Sequence, residues 1–136
     1  GFTEESEPNF FGSSYSIVKG YTDRLMHMFT NVLNLRIRMP ITGEKNPRNF
    51  ITKITKYSKI CSVPNSMTVL NELLPFVLDM MKQKTVGTIN LVNPGLISHN
   101  EILEMYKEEA ARRQNEKMKD LMKKQNKDLD DLINVD

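Results

Sequence analysis

At 136 residues the chain has room for one domain with a real core but not comfortably for two. With 39% hydrophobic and 26% charged residues it has the usage of an ordinary folding protein, which argues against fibrous and disordered classes. A net charge of +2 with no dense Lys/Arg block interleaved with aromatics gives no nucleic acid as an expected partner, and no apolar run nears the roughly 20 residues needed to span a bilayer, so no membrane and a cytoplasmic setting are expected.

The first eight residues, Gly1 to Pro8, are acidic and not signal-like. With no initiator methionine they read as the middle of a loop, and a fragment of a longer chain is expected. From Tyr15 to Phe29, Val18, Tyr21, Leu25, Met28 and Phe29 recur at three- and four-residue steps, the period of one helical face. Leu33, Leu35 and Ile37 then alternate with Asn34, Arg36 and Arg38 as a short strand, which Met39 and Pro40 end. Turn formers fill 42–48, and Asn49 is placed to cap a helix carrying Phe50, Ile51, Ile54 and Tyr57. A second strand is expected over about 59–63, before Pro64.

Asn71 can cap a helix to about Lys84, with Leu73, Leu74, Val77, Met80 and Met81 as its buried stripe and Pro75 near its first turn. Thr88 to Val92 reads as a third strand, opened by Gly87 and closed by Asn93, Pro94 and Gly95. Ser98 and Glu101 fit a capping box, so a helix carrying Ile102, Leu103 and Tyr106 begins there. Past Lys107 the composition turns charged. The apolar residues thin to Met118, Leu121, Met122, Leu129, Leu132 and Ile133, still at helical spacing. That stripe predicts a protruding helix over 108–136, frayed at its end and open to self-association or a partner helix. Strands alternating with helices predict an α/β fold with parallel strands and flanking helices.

The most specific short pattern is Tyr15 followed by Lys19, a YxxxK at a helix start. Residues four apart share a helix face, and a nearby cation favours a phenolate over a phenol, which suits proton delivery to a carbonyl oxygen. With four tyrosines and 13 lysines, about 0.4 such pairs arise by chance, so the pair alone decides little. Cys61, the single cysteine, excludes an internal disulfide and reads as a small core residue. His27 reads as a boundary residue and His99 as part of the capping box. With no second ligand spaced beside either, no metal centre is expected. The nine methionines at helical spacing read as core.

Five blocks, in order and spacing, resemble one family: Pro8 to Lys19, Leu35 to Ile41, Asn46 to Lys53, Val63 to Pro75, and Asn93 to Gly95 with Ser98 to Tyr106. The family is the bifunctional nucleotide-rhamnose synthases, 3,5-epimerase/4-keto-reductases of the extended short-chain dehydrogenase type, and the resemblance is to their carboxy-terminal portion over about 1–107. It implies a Rossmann-type doubly wound sheet in which NAD(P)H reduces the 4-keto group of a UDP- or dTDP-linked 4-keto-6-deoxyhexose. By position it makes Tyr15 the general acid and Lys19 its partner and a ligand of the nicotinamide ribose. Met39 and Pro40 would flank the nicotinamide. Lys53 would be the acid/base lysine of epimerisation, and Arg48 with Asn49 would meet the nucleotide pyrophosphate.

The six glycines form no dinucleotide-binding turn, and the family's charged-tail equivalent is an aromatic-containing segment instead. Two readings follow. One is an enzyme part that acts within a longer chain and is inactive alone. The other is a non-catalytic interaction module derived from the family, with a partner-binding carboxy-terminal helix.

Overall fold

A computed structural model describes residues 1–44 and 46–133, with the side chains of 129–133 excepted. Lys45 of the turn-rich segment and the expected apolar positions Leu129, Leu132 and Ile133, with the fraying assigned to the helix end, lie outside the described residues or side chains. The elements in order are α1 (Ser14–Met26), β1 (Leu33–Ile37), β2 (Pro40–Ile41), α2 (Phe50–Ile54), β3 (Thr68–Val69), α3 (Leu70–Lys82), β4 (Gly87–Leu91) and α4 (His99–Ile133).

β1 and β4 pair in parallel, from Leu33 opposite Gly87 to Ile37 opposite Leu91. A parallel pair cannot be closed by a tight hairpin, and the chain makes the crossover through α2 and α3. Between β1 and β2 the chain turns at Met39, whose φ of 45° is left-handed, a conformation uncommon for a residue with a Cβ. β2 then pairs in parallel with β3. Thr68, fully buried, fastens the two pairs together. Its N–H donates to the Arg38 carbonyl (2.8 Å), while its hydroxyl accepts from the Arg38 N–H (2.9 Å) and donates to the Leu91 carbonyl (2.7 Å). Below this junction Ile54, Met67 and Ile102 form a small core, with Met39, Ile41, Phe50 and Leu103 packed on it.

Local chemistry explains the helix starts. Ser13 and Ser16 form a reciprocal capping box at α1, with serine doing the work usual for glutamate. The Asn49 side chain caps α2 through Ile51 N–H. At α4 the Ser98 hydroxyl accepts from Glu101 N–H (3.3 Å), and the Glu101 carboxylate accepts from the Ser98 N–H (2.8 Å). The Ser98 hydroxyl and N–H hold the Glu101 carboxyl below the ordinary carboxylate range.

Several expectations are corrected. No strand forms over 59–63; the partner of the β1–β2 corner is Thr68–Val69, whose hydroxyl and amide reach both Arg38 and Leu91. In place of three strands in one layer there are, among the described residues, four short ones in two parallel pairs. α2 ends at Ile54, leaving Tyr57 outside it, and α3 begins at Leu70, so Asn71 is inside the helix and Val69 takes the cap position without a side-chain bond. Pro75 accordingly sits deeper in α3 than its first turn. The stripe of α3 is only partly covered, with Leu74 and Met81 exposed and no residue of the helix fully buried. Of the nine methionines only Met67 is described as buried, and Cys61 is exposed, because the segment expected to sheathe it as a strand is an irregular surface loop.

Candidate functional site

α1 is fixed to the strands by a polar seam. Arg36 on β1 makes a two-point ion pair with Asp23, Nη2 to Oδ2 at 2.7 Å and Nε to Oδ1 at 2.8 Å, and Asn34 donates to the same carboxylate (2.8 Å). Hydrogen bonds from Arg36, then Asn34, hold the Asp23 carboxyl below its ordinary range. One turn further along α1, the His27 Nε2 lies 3.0 Å from the Thr88 hydroxyl at the start of β4. Moving from His27 back to Asp23 therefore moves forward along the strands, and α1 runs antiparallel to them.

That direction places the start of α1. From Asp23 to Tyr15 is eight residues, roughly 12 Å along the helix axis. Tyr15 therefore lies beyond Asp23 in the direction of the carboxyl end of β1. It is 72% exposed, so a ligand can reach it. Lys19 Nζ is 5.9 Å from the centre of the Tyr15 ring, on the same face of the helix and within the reach of about 6 Å over which a ring attracts a cation. Gly20, buried beside them, admits the approach of Phe11 and Pro8, since a Cβ there would stand 2.8 Å from the Phe11 ring. The phenol and ammonium are therefore held at a helix start that the preceding segment braces but does not cover.

The remaining candidates form a second group on the loop and helix after β2. Arg48 is exposed, its N–H held by the Asn46 side chain (2.8 Å). Asn49 is buried, and its amide is engaged at both ends: it donates to the Thr42 (2.8 Å) and Glu44 (3.1 Å) carbonyls and accepts from Ile51. Lys53 is exposed on the last turn of α2, whose next residue, Ile54, enters the core. None of these site residues lines the apolar cleft of about 560 Å³ nearby, but Ile41 and Ile51, next to Pro40 and close to Asn49 and Lys53, do. Met67, Ile102 and Tyr106 complete much of its apolar wall. Its volume is in the range of small-molecule clefts, about 300–1,000 Å³.

Three positioning residues escaped the sequence reading. Thr68 is one. Asn93, read only as the end of a strand, accepts from Val69 N–H (2.8 Å) and donates to the Glu72 carboxylate (2.7 Å), so it fixes both β3 and the start of α3. Asn65 accepts from Arg38 Nη2 (2.7 Å) and pairs with Ile97 in an antiparallel bridge. Asx side chains beside proline were the available signal, since they fold back on nearby backbone.

In form this is a chain of helices and short parallel strands, with a YxxxK pair at a helix start and an apolar cleft beside the strand ends. Comparison with known proteins makes this particular. The crystal structure of the UDP-rhamnose synthase from Acanthamoeba polyphaga mimivirus superposes with a TM-score of 0.75 and 67% identity, over 79% of this chain and 38% of that one. An Arabidopsis thaliana bifunctional dTDP-4-dehydrorhamnose 3,5-epimerase/dTDP-4-dehydrorhamnose reductase is 53% identical over 109 residues, 79% of this chain and 36% of its own length. An Arabidopsis thaliana trifunctional UDP-glucose 4,6-dehydratase/UDP-4-keto-6-deoxy-D-glucose 3,5-epimerase/UDP-4-keto-L-rhamnose-reductase is 57% identical over 108 residues, 16% of its length. No family model matches the chain. Over the matched stretch the chain is a homologue of nucleotide-rhamnose synthases, consistent with their carboxy-terminal portion, and it spans little more than a third of the shorter relatives.

Proposed function

We propose that this chain supplies the proton-transfer and nucleotide-sugar side of a 3,5-epimerase/4-keto-reductase that makes UDP- or dTDP-L-rhamnose with NAD(P)H. In this reading residues 1–107 are part of a Rossmann-type reductase domain and 108–136 a charged helical tail, and the chain is inactive without a dinucleotide-binding turn contributed by other residues. The observation that carries it is the Tyr15 and Lys19 pair, sharing one open helix face.

These residues fit the nicotinamide end of a dinucleotide in this reading, which draws on an accessible phenol and ammonium at a helix start and on a strand end closed by a left-handed Met39 and a proline. Lys19 and Tyr15 would hold it, with Met39 and Pro40 alongside, and when bound it supplies the hydride. Tyr15 donates its hydroxyl proton to the substrate carbonyl oxygen as that carbon becomes an alcohol. Lys19 favours the phenolate left behind, through charge at short range. Lys53 takes and returns a proton at carbons made acidic by the neighbouring ketone. Arg48 donates charge-assisted hydrogen bonds to the pyrophosphate, and Asn49 holds the turn that presents it.

The test is a chimaera in which residues 1–107 replace the matching segment of the mimivirus UDP-rhamnose synthase. The reading expects NAD(P)H consumption with UDP-4-keto-6-deoxyglucose. A folded chimaera that binds the dinucleotide yet converts no sugar contradicts it.

A further inference from the structure

Residues 3–12 tie the edge of the β1–β4 pair to the start of α1. Thr3 to Ser6 form a turn, closed by the Ser6 N–H donating to the Thr3 carbonyl (3.0 Å) and the Thr3 N–H donating to the Ser6 hydroxyl (2.9 Å). The turn presents two carbonyls to Arg36, whose Nη1 donates to Thr3 (3.2 Å) and Glu4 (3.1 Å). Since Nε and Nη2 of the same guanidinium hold Asp23, Arg36 joins the turn to α1.

The Glu4 side chain adds a tie to β4. Among the described residues β4 pairs only with β1, and on that side the Gly87 N–H donates to the Val32 carbonyl. Backbone groups alternate along a strand, so the Asn90 N–H points the other way, to the open edge. There it donates to the Glu4 carboxylate at 3.0 Å. This bond, with the nearby Arg36 charge, holds the Glu4 carboxyl below the ordinary range.

From the turn the chain runs along α1. Pro8 and Phe11 meet Gly20, the Phe11 ring lies 5.8 Å from that of Tyr21, and the Arg24 guanidinium stands 5.5 Å from the Phe11 ring centre. Ser13 then caps the helix. The polar ties of α1 to the strands, through Asp23 and His27, lie toward its far end. Its first half, with Tyr15, Ile17 and Val18 exposed, is braced by the segment packed at Gly20. A helix is stiff, so a tilt of roughly 5° about Asp23 moves Tyr15 by roughly 1 Å over the roughly 12 Å between them. A misplacement of about 1 Å can cost on the order of a hundredfold in rate.

We propose, resting on the function given above, that Glu4 is a positioning residue for the reduction: its bond to the edge of β4 fixes residues 3–12, and these fix how α1 presents Tyr15 to the sugar ketone. Lys53 stands on α2, outside this circuit, so proton exchange on carbon does not depend on Glu4.

Three single variants test this in the mimivirus chimaera and in the full chain. With UDP-4-keto-6-deoxyglucose in deuterated water, Glu4→Ala is expected to lower kcat for rhamnose roughly ten- to a hundredfold, with the KM for the sugar and deuterium entry at the epimerised carbons unchanged. Glu4→Gln keeps an oxygen at the same reach and is expected to restore most of the rate. Glu4→Asp keeps the charge but is one methylene short, and is expected to behave as the alanine variant. In the full chain, amide hydrogen exchange followed by nuclear magnetic resonance should quicken at Asn90 in the alanine and aspartate variants, while Ile89 and Leu91, which face β1, stay protected. Native reduction despite a quickened Asn90 overturns the inference, as does native protection at Asn90 in Glu4→Ala. So does rescue by aspartate and not by glutamine, or equal loss of reduction and of deuterium entry. A chimaera with native Glu4 that binds the dinucleotide yet reduces no sugar overturns the function on which the inference rests, and that result is seen before any variant is made.

Discussion

Replacing Thr68 with valine keeps the outline of the side chain and deletes its hydroxyl, at a residue with no accessible surface. Two backbone groups then lose their partner, the Arg38 N–H at 2.9 Å and the Leu91 carbonyl at 2.7 Å. Leaving a buried polar group unsatisfied costs about 1–3 kcal/mol, so the pair is worth about 3 kcal/mol after partial relaxation. Small domains hold only about 5–15 kcal/mol in all, which makes this a large fraction. Thr68→Ser keeps both bonds and loses one methyl group, about 1 kcal/mol. Urea titration of the chain should show the midpoint falling for both variants, further for valine, with the slope unchanged. The valine variant should also loosen Met39, which follows Arg38 at the corner assigned to the nicotinamide. If valine proves as stable as serine, the hydroxyl is not what joins the two strand pairs and the reasoning fails.

The ion pair between Asp23 and Arg36 gives a pH dependence with a fixed sign. Its carboxyl is depressed in the fold, so the stability it contributes is complete above the ordinary value of about 4 and is lost as pH falls through the folded value. Asp23→Asn should therefore cost about 2 kcal/mol at neutral pH, with a difference from the native chain that closes in acid, read by thermal melts across pH. Ser98→Ala removes the first half of the α4 capping box and should cost about 1 kcal/mol, seen as a lower melting midpoint, while Ser98→Thr should restore most of it. Gly20→Ala puts a methyl group 2.8 Å from the Phe11 ring; proteolysis within residues 1–12 should quicken as that segment lifts from α1.

The start of α4 was legible because its signal is local: Ser98 and Glu101 are three residues apart and satisfy each other. β1 and β4 were legible from alternation and from Gly87 and Pro94 as punctuation, to within a residue. The i, i+4 relation of Tyr15 and Lys19 survives folding because a helix dictates it. The strand expected over 59–63 had apolar residues but no edge to join, whereas Thr68 and Val69 won that edge through contacts 30 and 23 residues away in sequence, which no local pattern carries. Apolar stripes tell which face of a helix avoids water, not what covers it. α1 stops at Met26, short of the expected Phe29; the sheet-facing side of the helix and its cap is polar, built from Asp23 and His27, while Val18 and Tyr21 on the helix and Met28 and Phe29 after it remain exposed. The same limit explains why most methionines lie outside the core.

We propose that the Tyr15 phenol, beside Lys19 on one helix face, hands a proton to the sugar ketone while Lys53 serves the earlier exchange of protons on carbon. In the mimivirus chimaera run in deuterated water, product analysis by nuclear magnetic resonance separates the two steps. Tyr15→Phe is expected to let deuterium enter the ketone at the epimerised carbons while no rhamnose forms, and Lys53→Ala to leave those carbons unlabelled. Rhamnose made at the native rate by the Tyr15→Phe chimaera would contradict the account.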